Sequence, residues 1–169
     1  QKLKSILRNQ TKEGWFPEIG HMDIGYTFLT VEFVLMAMEL WGDWRHIAPL
    51  QRAFDFACEW IHPDISVGRE YSICQNTYIS RIAVILMSRF SNYATYLRQI
   101  IEKDSLGFDG YAPVLSDDLR LLRNSYQPFL ADDYAKKNVS PPLLKSEIIP
   151  LSNSNVKTSV YKESGLVRF

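Results

Sequence analysis

The stretch Ile24-Gly-Tyr-Thr-Phe-Leu-Thr-Val-Glu-Phe-Val-Leu-Met-Ala-Met-Glu-Leu-Trp41 decides the fold class. Phe28, Val31, Val34, Leu35 and Met38 recur at three- and four-residue intervals, the period of a helix face rather than a strand. Leu29, Phe33 and Met36 fill most of the remaining circumference and leave Glu32 and Glu39 as a thin polar stripe. A helix apolar nearly all round is predicted to be buried nearly all round. Gly42-Asp43 ends it.

Further helices follow outward from this one. The second, about 47–61, places Leu50, Phe54, Ala57 and Ile61 on one face and Arg52, Asp55 and Glu59 on the other. The third, about 76–90, contains the apolar run Ile82 to Met87 and is predicted to be buried. The fourth, about 92–103, sets Tyr93, Tyr96, Leu97, Ile100 and Ile101 against Arg98, Gln99 and Glu102. A fifth starts near Ser116, is interrupted at Pro128 and ends near Lys137. Residues 1–13 read as the last turns of another helix. From Asn138 the helical period is lost, and Val156 to Tyr161 and Leu166 to Phe169 have the character of strands.

Buried and half-exposed helices alternate, which predicts an all-α fold. The architecture expected is a partial α/α toroid of antiparallel helical hairpins with an irregular or short-strand C-terminal tail; a plain bundle is the alternative. The domain expectation is a toroid-like helical domain over 1–137 and an extended tail over 138–169 that could open a β-domain.

Composition narrows the function. The chain has 169 residues, enough for one good-sized core, and a formal net charge of zero, with no basic block to grip nucleic acid. Its most apolar stretch carries Glu32 and Glu39, so no membrane span is expected. Cys58 and Cys74 have neither the count of a disulfide framework nor the spacing of a zinc site, and read as free thiols. The chain begins with Gln1, and a longer parent chain is expected around it.

Three loops share one pattern: His21-Met-Asp-Ile-Gly-Tyr26, His62-Pro-Asp-Ile-Ser-Val-Gly-Arg-Glu-Tyr71 and Gly107-Phe-Asp-Gly-Tyr111. Their Asp residues recur at roughly the length of one helical hairpin. The connectors between hairpin partners, Gly42 to Arg45 and Ser91, are short, so the three long loops are expected at one pole of the stack. Polar and aromatic groups gathered at one end of a rigid scaffold form a candidate functional face. Two histidines and two carboxylates would suffice for an open metal site. The commoner role of such an Asp is a cap, and Asp23 is placed to cap the first helix. No metal and no cofactor are therefore expected. Trp15 and Phe16 either cover the end of the core or stack on a sugar ring.

Glu13-Gly-Trp-Phe-Pro-Glu18, Asp23-Ile-Gly-Tyr26 and Asp64-Ile-Ser-Val-Gly-Arg-Glu-Tyr71 with Asn76-Thr77 resemble the α/α-toroid region of heparinase II/III-like proteins and related alginate and chondroitin lyases. Tyr161 to Phe169 resembles the approach to the β-domain that follows the toroid in that family. The resemblance implies β-elimination on a polysaccharide or oligosaccharide that contains uronic acid. In its terms Tyr71 is the acid/base, Asn76 and Arg69 clamp the substrate carboxylate, and His21 is a second base. Trp15, Tyr26, Glu70 and Tyr111 bind substrate. The chain holds too few hairpins to close a toroid, and a full Asn-His-Tyr-Arg set does not align to it. A non-catalytic carbohydrate-binding or scaffold helical domain is the alternative. An isoprenoid-type toroid ranks last, because Asp117-Asp118 and Asp132-Asp133 read as helix-surface charge.

Overall fold

The computed structural model describes residues 2–17, 20–62, 79–103, 130, 132–137 and 159–168, with the side chains of 99–103, 159, 167 and 168 excluded. These residues are mostly helical. In chain order they form α1 (Lys2–Arg8), α2 (Ile24–Trp41), α3 (Ile47–Cys58), α4 (Arg81–Met87), α5 (Asn92–Lys103), a helical segment at 132–137, β1 (Ser159–Tyr161) and β2 (Leu166–Arg168). The strands pair antiparallel, with Val160 opposite Val167. The chain divides into two compact units, Gln1–Ser80 with Glu147–Phe169 and Arg81–Ser146.

In the first unit, α2 is fixed at both ends by local chemistry. Asp23 has extended backbone, and its Oδ1 accepts the Tyr26 N–H at 2.8 Å, which satisfies a donor at the helix start. Gly42 closes the other end in the left-handed conformation, φ 65°. Its N–H reaches Glu39 O at 3.3 Å and the Asp43 N–H reaches Met38 O at 3.1 Å, the Schellman pattern. The inner face carries Ile24, Phe28, Val31, Leu35 and Met38, all buried. Phe28 meets Phe54 of α3 edge-on, with ring centroids 5.6 Å apart.

The expectation that α2 is buried all round is corrected. Glu32, assigned to the polar stripe, is fully buried, whereas Phe33, Leu40 and Trp41 are 55%, 78% and 71% exposed. The helix has one packed side and one open side, and its composition does not distinguish them. α2 is long and apolar enough to cross a membrane, and over half of it is buried inside the protein.

The loop before α2 packs on α3. Gln10 donates to Gly14 O (2.6 Å) and Pro49 O (2.7 Å), and accepts from Arg52 (2.8 Å). Gly14, at φ 112°, lies so close to α3 that a Cβ there would meet Arg52 O at 2.8 Å. Only glycine fits both constraints. The β-hairpin belongs to the same unit. Tyr161 sits edge-on to Phe56 (5.5 Å) and Trp60 (5.3 Å), and its hydroxyl donates to Glu59.

In the second unit, every residue from Ile82 to Met87 is buried, as expected of α4. That helix is shorter than the predicted 76–90. Residues 79–80 lie outside it and 88–90 form a turn, in which Ser88 Oγ donates to Ile85 O at 2.7 Å; residues 76–78 lie outside the described set. Similarly, α3 ends at Cys58 rather than 61. Ser91 caps α5, its Oγ accepting the Ala94 N–H at 3.3 Å. Arg98, predicted on the polar face of α5, is instead 3% exposed. Its guanidinium turns back to donate to Ser88 Oγ at 3.2 Å.

Candidate functional site

An open cleft of about 410 Å³ lies in the first unit, lined by Trp15, Gly20, His21, Met22, Glu163 and Ser164. One wall is the segment leading into α2. The other is the turn of the β-hairpin. His21 is exposed, two residues before the Asp23 cap, so the start of α2 fixes the backbone that carries it. Met22 is buried and continues from the cleft toward the core.

A hydrogen-bonded junction at the cleft joins the two walls. Glu13 Oε1 accepts the Glu163 N–H at 2.6 Å. Glu13 Oε2 accepts the Ser164 N–H at 3.0 Å and the Trp15 indole N–H at 3.2 Å. Glu163 Oε2 in turn accepts the Glu13 N–H at 3.1 Å. Burial pushes the Glu13 carboxyl up, but the bonds from Glu163, Ser164 and Trp15 together hold it below its ordinary value.

Of the residues singled out in the sequence, His21 and Trp15 meet at this cleft. Trp15 is only 5% exposed and Phe16 equally so; both cover the end of the core. Tyr26 is half-buried in the first turn of α2 and is not among the cleft residues. Asp23 is 2% exposed and engaged as the helix cap. Tyr71, Asn76, Arg69, Glu70 and Tyr111 lie outside the described residues, as do Asp64 and Asp109. Among the described residues, no three His, Cys, Asp or Glu side chains are grouped to hold a metal ion. Cys58 is fully buried, and burial followed by nearby Asp55 and Glu59 pushes its thiol well up, so it is a core residue without nucleophilic character.

The sequence reading did not select Glu13, Glu163 or Ser164. Glu13 opens the Gly-Trp-Phe-Pro loop and Glu163 lies in the hairpin turn, 150 residues away. No local pattern links them.

No family model, no curated protein and no solved structure matches the chain.

Proposed function

We propose that the chain is a toroid-type part of a polysaccharide lyase, acting on a uronic-acid-containing glycan by β-elimination, with the sugar seated in the cleft over His21. On this reading α2–α3 and α4–α5 are hairpins of a partial α/α toroid. The single observation that supports it is that His21 is exposed at an open cleft bounded by a second polar wall, rather than packed in the core.

The chemistry follows from the residue types. His21, as the neutral imidazole, takes the C5 proton, which is acidified by the adjacent carboxylate. The electron pair forms the C4–C5 double bond, the C4–O bond breaks, and the leaving oxygen receives a proton, for which Tyr71 is the candidate. Glu163 gives the cleft negative charge, which repels a uronate. The reading therefore requires Arg69 or Asn76 to neutralise the substrate carboxylate.

The test is incubation with alginate, heparin and chondroitin, watching the ultraviolet absorbance of the conjugated product. Turnover that drops at least about 100-fold in His21→Ala is expected. No absorbance on any uronate polymer would overturn it. A non-catalytic carbohydrate-binding domain is the second reading. It is favoured by one feature: His21 and Glu163 are the only titratable groups among the described lining residues. Binding retained without turnover in the unmodified protein selects that reading.

A further inference from the structure

The hairpin turn at 162–165 meets the loop before α2 through carboxylate acceptors. Glu13 accepts the backbone N–H groups of Glu163 and Ser164, and Glu163 accepts that of Glu13. The same turn supplies Glu163 and Ser164 to the cleft wall. Just before it, Tyr161 is anchored by its ring contacts with Phe56 and Trp60, which do not titrate. The segment is thus held at Tyr161 mainly by ring contacts, with one donation to Glu59, and within the turn by the bonds to ionised Glu13.

We propose that this turn is an acid-released flap, hinged at Tyr161, that completes the cleft while Glu13 is ionised and lifts from the loop when Glu13 is protonated. The flap is independent of what the cleft binds. A protonated carboxyl keeps less acceptor capacity and carries a hydroxyl that must itself donate, while the N–H groups of Glu163 and Ser164 and the Trp15 indole still point at it. Charge-assisted hydrogen bonds are about twice as strong as neutral ones, so the loss falls on the contacts that close the wall.

The direction in pH follows from the Glu13 carboxyl, held below its ordinary value of 4.5. A group depressed in the docked state stabilises docking above its undocked value and loses that contribution as pH falls through the docked one. On the elements packed around it, Arg52 is taken by Gln10 and Glu59 by Tyr161. Among the described residues of those elements, Lys12, His21, Asp23, Asp55, Lys162 and Glu163 are the other titratable groups. Protonation of Glu163 weakens its bond from the Glu13 N–H and acts in the same direction.

The experiment is residue-resolved amide hydrogen exchange on the whole chain, between neutral pH and about pH 3.5, each rate referred to unstructured exchange at that pH. In the unmodified protein, protection of the Glu163 and Ser164 amides is expected to fall about tenfold on acidification, while α2 keeps its own. In Glu13→Gln that protection is expected to be about tenfold lower already at neutral pH, with only the smaller fall on acidification that Glu163 contributes. Unchanged protection in the unmodified protein overturns the proposal. So does a variant with the unmodified profile, or simultaneous loss of the flap and α2 amides. Should the variant fail to fold, the unmodified profile decides alone.

Discussion

The Tyr161 ring stands edge-on to the Trp60 indole, with centroids 5.3 Å apart and planes at 67°. The same ring meets Phe56 at 5.5 Å and 80°. A two-stranded hairpin this short is marginal alone, so these contacts hold it against α3. Tyr161→Ala is expected to cost about 1–3 kcal/mol, because the ring is half-buried rather than enclosed, and Tyr161→Phe about 1 kcal/mol for the lost donation to Glu59. Urea unfolding of the two variants measures both, and equal effects would assign the anchoring to the hydroxyl alone.

Gly14 admits no side chain. A methyl group there would meet Arg52 O at 2.8 Å, and the positive φ adds backbone strain. Gly14→Ala is expected to destabilise by about 2–4 kcal/mol, seen as a lower denaturation midpoint. A variant as stable as the parent would show that the loop does not press on α3.

Asp23 caps α2 through its side-chain oxygen. Asp23→Ala is expected to cost about 1–2 kcal/mol, with Asp23→Ser or Asp23→Asn recovering most of it. Circular dichroism during thermal unfolding reads the effect. A cap requires an acceptor oxygen and no charge, so failure of Asn to rescue would point to a role for the carboxylate itself.

The open side of α2 is expected to tolerate polar residues. Leu40, 78% exposed, can become Lys with a change in stability within about 0.5 kcal/mol. Leu35→Ala, on the enclosed side, is expected to cost about 2–5 kcal/mol. Chemical denaturation of the pair shows whether the two faces differ as the burial implies.

The helices were legible where local chemistry sets them. Asp23 and Gly42 mark both ends of α2, and Ser91 the start of α5, within a few residues of the atoms they satisfy. Apolar periodicity located α3 and the buried run of α4 for the same reason. Exposure was less legible. The composition of α2 says nothing of where its neighbours stop, so Glu32 and Phe33 came out reversed, and Arg98 was hidden by a turn that its own helix does not contain. The cleft was half legible. His21 and Trp15 announced themselves as polar and aromatic residues in a Gly-rich loop. Glu163 and Ser164 reach them only because the chain returns through the hairpin, a long-range contact that no spacing rule encodes.

The most direct measurement is a nuclear magnetic resonance titration of the isotope-labelled chain with a short uronate oligosaccharide. The account predicts saturable shifts of the Trp15 indole N–H, the His21 and Met22 amides and the Ser164 amide, with the Phe33 and Leu40 amides on the open side of α2 unchanged. Saturable binding that leaves these cleft signals in place, or no binding of any uronate oligosaccharide, would contradict it.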